Sequence, residues 1–344
     1  MAVCGNLNKR CCKRSFYSMN IKKGYGFMEL IAYFLSLKPL NLLSALPGNV
    51  VQGIIWGIMA LGVFITFRLL NFADLTVDGT FAAGGAVTVV LILAGMPAPL
   101  ALAIATVIGL FGGLFTGFLH TILGIPDILA GILTQISFWS INLLVLDGAN
   151  RAVNVDKYHL IVSLRNISSS IVAMTVFAAV LVSILYWYFG TEQGSAVRAT
   201  GNNPQMVKAQ GINIDFMKVL ALGLSNCLVA FSGGLMSQFQ GFADIKMGQG
   251  AIVIGLAAVI IGEVIGDALI GKYMNFYIKL IFVVLGGVIY YFVIGLVMWL
   301  RMPTDLLKLF TASVVAIFLA IPYLKAKTKN SFVFTSRGKV QKNA

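Results

Sequence analysis

The chain has 344 residues, of which 59% are hydrophobic and only 11% are charged, and its mean hydropathy is +0.91. Soluble domains carry about 25% charged residues, so this composition excludes a soluble protein and indicates a polytopic membrane protein. The apolar runs are about 20 residues long, which is the length of a helix that crosses the hydrocarbon core. Continuous runs of this length exclude a barrel of short alternating strands.

The net charge of +13 is concentrated at the two ends of the chain. Six basic residues lie among the first 23 and six among the last 20, and neither stretch contains an acidic residue. Basic segments next to membrane spans mark the cytoplasmic side. We therefore expect basic cytoplasmic tails within residues 1–47 and 325–344, and no nucleic-acid partner. The four cysteines show no spacing typical of a metal site or of a disulfide framework, so no metal site is predicted.

The apolar spans follow one another in a regular order. Residues 26–46 are interrupted by Glu29, Lys38 and Pro39, which leaves open a weak crossing or a helix that lies in the interface. The clear spans are at about 48–70, 72–94, 98–119, 126–146, 167–189, 217–240, 243–265, 276–300 and 305–324. If the polar connection 190–216 lies inside the cell, both basic tails are inside only when residues 26–46 also cross. The charge rule thus favours ten spans over nine.

An internal repeat organises these spans. Phe72-Ala73-Asp74 recurs 170 residues later as Phe242-Ala243-Asp244, and the same offset relates Gly85 to Gly255 and Val89 to Val259. Five predicted crossings separate the two copies, so they enter the membrane in opposite directions. We therefore predict an all-α fold with a transmembrane domain over 48–324. It comprises inverted repeats at about 48–147 and 217–324 and a linking helix at 167–189. Inverted repeats place a pathway at their interface.

Carboxylates within the spans are the first candidate site, because charge is costly there unless it faces protein or water. Two interpretations of these residues stay open. They could line a pathway, or they could cap helices, as Asp74 would for a helix that begins near Leu75. Recurrence of the aspartate in both halves favours a shared structural role. The predicted pathway residues are Asn71, Asp74, Thr76, Asp78 and Asp244.

The polar connection at 190–216 is the second candidate site. Two short helices are predicted here, at about 194–200 and 204–210, with a turn at Gly201-Asn202-Asn203 in which Gly201 is expected to need a positive φ. Pro204 at a first helical position and Gly211 past a helix end fit the usual asymmetry of helix termini. A short helix at the membrane surface can act as a lever for a partner protein. An ordinary solvated loop is the alternative.

This connection resembles the cytoplasmic loop of permeases in ATP-binding-cassette (ABC) importers of the branched-chain amino acid and ribose class. The matching residues are Gly194, Arg198, Ala199, Gly201, Asn203, Ala209, Gly211, Ile212 and Asn213. The stretch from Phe67 to Gly79 resembles a subgroup of that family, the tryptophan/tyrosine import permeases. The likeness covers about residues 48–322, and the first 45 residues depart from it.

The resemblance implies a permease subunit of a homodimer or pseudo-dimer in the cytoplasmic membrane that is not itself an enzyme. It would form the pathway for a small solute, an amino acid with aromatic ones favoured, delivered by an extracytoplasmic binding protein. Cytosolic ATP-binding subunits would dock on Gly194, Arg198, Gly201, Asn203, Pro204, Ala209 and Gly211. The chain has no Gly-x-x-x-x-Gly-Lys-Ser/Thr phosphate loop, so ATP is expected on the partner and no cofactor on this chain. The alternative function is a stand-alone, ion-coupled carrier that uses Asp74, Asp78 or Asp244.

Overall fold

The computed structural model describes residues 39–299, except for positions 156, 159, 272 and 273. It also describes positions 309, 312, 313, 316 and 320. The chain divides into two units, 1–41 and 42–344, and the architecture described here is that of the second. The possible extra crossing at 26–46 lies mostly outside the described residues. The same is true of the predicted last span at 305–324.

Within the described residues, eight long helices are apolar enough to cross a membrane. In chain order the helices are α1 Pro39–Val63, α2 Thr76–Leu93, α3 Ala98–Thr121, α4 Asp127–Leu146, α5 Ile167–Gly190, α6 Glu192–Asn202, α7 Pro204–Ala209, α8 Ile214–Gln240, α9 Ala251–Leu269 and α10 Phe276–Trp299. A π-helical turn, Phe64–Leu69, continues α1. The prediction of an all-α polytopic membrane protein is confirmed.

The chain leaves regular helix at both copies of the Phe-Ala-Asp sequence. We call residues 70–75 the first break and residues 241–250 the second break. The second break contains strand β2, Phe242–Asp244, and a 3₁₀ turn, Ile245–Gly248. Strand β1, Asn150–Ala152, pairs antiparallel with β2, which satisfies backbone groups that an isolated extended segment would leave unpaired.

Helices α1 and α8 begin the two halves and pack on each other in opposite directions. The Ser225 hydroxyl donates to the Gly62 carbonyl at 2.8 Å, and the Ser232 hydroxyl donates to the Ile55 carbonyl at 2.7 Å. At the 170-residue offset, Ser225 corresponds to Ile55 and Ser232 corresponds to Gly62. The two hydrogen bonds therefore join the same pair of equivalent positions crosswise, as a pseudo-two-fold axis requires. Five spanning helices, α2 to α5 and α8, separate the two breaks, which is the odd number that the sequence predicted.

Burial distinguishes a central layer from a peripheral one. Most residues of α2 and of the second half of α8 are buried, as is nearly all of α1 from Val51 onward. Helices α3, α4 and α5 instead expose large apolar side chains, as helices that face lipid do. Examples are Phe111, Phe115, Trp139, Val172 and Val180. The two breaks adjoin the central layer; Asp74 in the first break is buried, whereas Asn71 and Lys246 are exposed.

Candidate functional site

The first break is closed around a buried carboxylate. Asn71 adopts a left-handed conformation, with φ 57°, and turns the chain from the π-helical turn towards α2. Asp74 is only 2% exposed. Its Oδ1 accepts the Thr76 backbone N–H at 2.9 Å, and its Oδ2 accepts the Asn226 side-chain amide at 2.7 Å. Asp74 therefore provides an acceptor for a backbone N–H at the start of α2, as a cap would. It also ties that start to the middle of α8.

A chain of buried polar side chains extends from this carboxylate. The Thr80 hydroxyl donates to the Asn226 amide oxygen at 2.7 Å. The hydroxyls of Thr76 and Thr116 lie 2.7 Å apart, and Thr116 contacts Thr134 at 3.0 Å. These hydrogen bonds connect α2, α3, α4 and α8, and such satisfied networks make a core rigid. Thr76 is 0% exposed, so this predicted pathway residue faces protein.

Asp78 joins the two halves. It lies in the first turn of α2, yet its carboxylate accepts the backbone N–H groups of Gly250 and Ile252, each at 3.0 Å. These N–H groups belong to the start of α9, where a helix lacks internal acceptors and where its dipole favours negative charge. Asp78 thus caps a helix of the other half. No pattern in the sequence pointed to this partner, because it lies more than 170 residues away.

The second break repeats the local geometry of the first. Asp244 Oδ1 accepts the backbone N–H of Lys246 at 2.6 Å, which is the same bond to the second following residue that Asp74 makes with Thr76. Asp244 is only partly buried, however, and its side chain lines a cavity. Of the five predicted pathway residues, Asp244 is the one whose side chain lines this cavity, whereas Asn71 is exposed at the first break.

This cavity of about 370 Å³ lies between α1, α8, α10 and the second break, and its volume falls within the usual range for small-molecule sites. It is near the end of α8 that is far from the 190–216 connection. Its polar and aromatic lining comes from Gln52, Trp56, Gln240, Asp244, Lys246 and Tyr291. Trp56 stacks between two rings, with centroid distances of 4.7 Å to Phe81 and 5.8 Å to Tyr291.

Sequence reasoning identified only Asp244 among these lining residues. Gln52 and Trp56 are one turn apart and share a face of α1, so a polar residue at that spacing within an apolar span was a usable signal. Gln240 at the end of α8 was a weaker signal of the same kind. Tyr291 carried none, because a tyrosine in an apolar span is also ordinary packing material.

The coupling segment, residues 191–213, contains α6 and α7. The Thr191 hydroxyl accepts the Gly194 N–H at 3.4 Å at the start of α6. The Asn203 side chain accepts the Met206 N–H at 3.2 Å and caps α7, whose first residue is Pro204. The two predicted short helices are present, although α6 is longer than expected.

The prediction that Gly201 lies in a turn with positive φ is wrong. Gly201 lies within α6 and has no positive φ, whereas Gly211, with φ 78°, does turn the chain after α7. A Cβ at position 201 would collide with the Leu69 carbonyl at the end of the π-helical turn. Close approach of two backbones, rather than a turn, therefore requires glycine here, and α6 is seated directly against the residue that precedes the first break.

Arg198 lies partly inside the protein. Its guanidinium carbon is 5.4 Å from the centre of the Phe276 ring, a cation–π arrangement. Its Nε is buried and has no hydrogen-bond partner among the described residues. It lines a cavity of about 610 Å³ together with Tyr186, Trp187, Thr191 and Asn275. A carboxylate of a partner would have to reach Arg198 within this cavity.

The other predicted coupling residues divide into two groups. Gly194 is buried and Gly201 is half-buried, so both pack the segment against the membrane domain. Asn203, Pro204, Ala209 and Gly211 are exposed. The exposed group, with Met206 at 59% exposure, forms a surface on α7 that a partner protein can contact.

Comparison with known proteins gives consistent matches. The family model described as branched-chain amino acid transport system / permease component matches residues 47–321. The chain is 35% identical over 289 residues to the tyrosine transport system permease protein of Clostridioides difficile (strain R20291), covering 84% of this chain and 95% of the relative.

Two further relatives are more distant. An uncharacterized protein of Rickettsia prowazekii (strain Madrid E) is 30% identical over 275 residues, which is 80% of this chain and 95% of the relative. The autoinducer 2 import system permease protein LsrC of Escherichia coli O9:H4 (strain HS) is 26% identical over 209 residues, 60% of each chain. No solved structure matches the chain.

Proposed function

This chain belongs to the family of permease components of branched-chain amino acid transport systems, and we propose that it forms the pathway by which an ATP-driven importer takes up an amino acid, with aromatic amino acids preferred. It is a multi-pass membrane protein and the permease component of an ABC transport system for small solutes. The observation that carries the finer proposal is the 35% identity to a tyrosine transport permease over 84% of the chain.

A permease component implies further subunits. The proposal includes ATP-binding subunits in the cytosol, a binding protein outside the membrane and a second copy of this chain. ATP is bound and hydrolysed by the cytosolic subunits, so this chain needs no cofactor of its own and is not an enzyme. The exposed surface of α7 is the proposed docking site for those subunits.

The seating of α6 suggests how docking is transmitted. Gly201 packs against the Leu69 carbonyl, and the first break begins at the next residue of the chain. Asp74 in that break is hydrogen-bonded to Asn226 in α8. A displacement of α6 by the ATP-binding subunits would therefore act on the first break, and through it on both halves.

The test is uptake by the reconstituted complex. The permease is placed in proteoliposomes with its ATP-binding subunits and binding protein, and labelled L-tyrosine, L-tryptophan, L-leucine and ribose are supplied with and without ATP inside. We expect ATP-dependent uptake that is greatest for the aromatic amino acids. Uptake by this chain alone, driven by an ion gradient, would overturn the proposal and establish the carrier alternative. Preferred uptake of ribose would overturn the substrate class alone.

The coupling role of α6 has a matched pair of variants. In Gly201→Ala the new Cβ meets the Leu69 carbonyl, whereas in Gly190→Ala it meets nothing within 4 Å. We expect Gly201→Ala to lose at least tenfold in uptake, since small misplacements can cost about 10²-fold, while ATP hydrolysis continues. Gly190→Ala should behave as wild type. Normal uptake by both variants would contradict this role of α6.

Orientation is tested separately with a single cysteine at position 205, which is exposed. We expect a membrane-impermeant thiol reagent to label it only from the cytoplasmic side. Labelling from outside the cell would reverse the proposed topology and remove α7 from reach of the ATP-binding subunits.

A further inference from the structure

We propose that the cavity lined by Trp56, Asp244, Lys246 and Tyr291 binds a zwitterionic aromatic amino acid during its passage through the permease. This inference rests on the proposed function, which supplies an amino acid as the solute, and it assigns that solute a site within this chain. The cavity lies between α1, α8, α10 and the second break. It is therefore at the interface of the two inverted halves, where carriers with inverted repeats hold their solutes.

The charges of the cavity match a zwitterion. Asp244 and Lys246 both line it, and among the described residues neither side chain takes part in an ion pair. The α-ammonium group of an amino acid can donate to the Asp244 carboxylate, and its α-carboxylate can accept from the Lys246 ammonium. Such charge-assisted hydrogen bonds are stronger than neutral ones. A ligand with only one of the two charges would make only one of these two bonds.

The aromatic side of the cavity matches an aromatic side chain. Trp56 is 5% exposed and is held between the rings of Phe81 and Tyr291. Its indole Nε1 is buried and has no hydrogen-bond partner within the described part of the chain. A buried N–H without an acceptor is costly, so a ligand oxygen that accepts from it is favoured. The amides of Gln52 and Gln240 offer further polar contacts.

The pseudo-symmetry of the fold gives an independent argument for a ligand at Asp244. At the 170-residue offset, Asp244 corresponds to Asp74, and Trp56 corresponds to Asn226. At the first break, the Asn226 amide donates to Asp74 at 2.7 Å. At the second break, no described hydrogen bond joins the equivalent pair, and both side chains line the cavity. The cavity thus lies beside a carboxylate that lacks the internal donor present at the first break, and the ligand ammonium would take the place of that donor.

Direct binding to the full-length permease in lipid nanodiscs tests the assignment. Trp139, Trp187 and Trp299 are replaced by phenylalanine, which leaves Trp56 as the single tryptophan. Its emission is followed with excitation at the red edge of the tryptophan band, where tyrosine does not absorb. The probes are L-tyrosine, tyramine, which lacks the carboxylate, and 3-(4-hydroxyphenyl)propanoate, which lacks the ammonium. We expect a saturable change with L-tyrosine and weaker binding of both analogues.

Two variants separate the charges. Asp244→Asn keeps an oxygen that can accept the Lys246 N–H, and Lys246→Gln keeps side-chain length and polarity. Each should raise the Kd for L-tyrosine roughly 10- to 100-fold, the usual effect of losing one charged hydrogen bond. Asp244→Asn should also lose the preference for L-tyrosine over the propanoate, and Lys246→Gln the preference over tyramine. The exposed Lys157 provides the control, and Lys157→Gln should bind as wild type.

Uptake by the complete complex distinguishes the two levels of the proposal. Trp56→Phe should lower ATP-driven L-tyrosine uptake several-fold, whereas Trp139→Phe, on the outer surface of α4, should not. If the wild-type complex imports L-tyrosine but all cavity variants import and bind it normally, the site assignment is overturned and the proposed function stands. If the wild-type complex imports no amino acid, the proposed function fails and the amino-acid site fails with it.

Discussion

The two Phe-Ala-Asp breaks have one local structure and two environments. In each, the aspartate accepts the backbone N–H of the second following residue, Thr76 after Asp74 and Lys246 after Asp244. Asp74 is 2% exposed and is bound to Asn226, whereas Asp244 is half-buried and lines a cavity. The turn is therefore a property of the short sequence. The partner contributed by the other half decides whether the carboxylate is bonded inside the protein or lines a cavity.

The largest effect should come from removing the closed carboxylate. Asp74→Ala leaves the Thr76 N–H and the Asn226 amide without an acceptor inside the protein. We expect it to lower the free energy of unfolding by about 3 kcal/mol, the sum of two hydrogen bonds to a charged group. Asp244→Ala removes one bond in a partly open place, so the loss should be about 1 kcal/mol. Unfolding by SDS in mixed micelles measures both values.

Conservative variants serve as controls for this comparison. Asp74→Asn and Asp244→Asn each retain an oxygen for the backbone N–H, so the local turn should survive in both. Asp74→Asn also weakens the buried hydrogen bond to Asn226 in α8, because its side-chain NH2 group then faces the NH2 group of Asn226. Asp244→Asn has no equivalent bond to lose. Equal losses in Asp74→Ala and Asp244→Ala would show that the two environments do not differ energetically.

The sequence was sufficient for the features that depend on local pattern. Apolar length located the eight described spans, and the offset between Asp74 and Asp244 identified the inverted halves. Pro204 marked the start of α7. Each of these signals is carried by neighbouring residues, or by identity between two copies, and so can be read without knowing the packing.

The features that depend on distant contacts could not be predicted in the same way. Asp74 remained open between pathway and cap because Asn226 lies 152 residues away. Gly201 was assigned to a turn, whereas its actual constraint is the carbonyl of Leu69 on another element. Trp56 was overlooked because the rings of Phe81 and Tyr291, which hold it at the cavity, belong to other helices. In each case the deciding neighbour comes from another part of the chain.

A smaller effect is expected where the two breaks are linked. Asp78, next to the first break, caps α9 after the second break through the N–H groups of Gly250 and Ile252. Asp78→Ala should destabilise the protein by about 1–2 kcal/mol, as loss of a helix cap does. Hydrogen exchange should become faster at Gly250 and Ile252, while exchange at the Thr76 amide, which Asp74 holds, should change little. Unchanged exchange at the start of α9 would contradict the capping role.

The smallest effect should come from an ion pair between the first half and α9, beyond the middle of that helix from the Asp78 cap. Arg68 Nε in the π-helical turn lies 2.8 Å from Glu263 Oε1, with side-chain exposures of 58% and 20%. Exposed pairs of this kind contribute about 0–1 kcal/mol and weaken as salt screens them. A double-mutant cycle with Arg68→Ala and Glu263→Ala should therefore give a coupling energy below about 1 kcal/mol that falls at high salt. A larger, salt-independent coupling would mean that this pair, rather than Asp78, is the main connection between the first half and α9.

Because Arg68 is adjacent to Leu69, on which Gly201 rests, the same cycle repeated on the ATP-bound complex should show whether docking changes the pair. We expect the coupling energy to differ between the two states, because a displaced α6 would move the π-helical turn; an unchanged coupling energy would contradict that displacement.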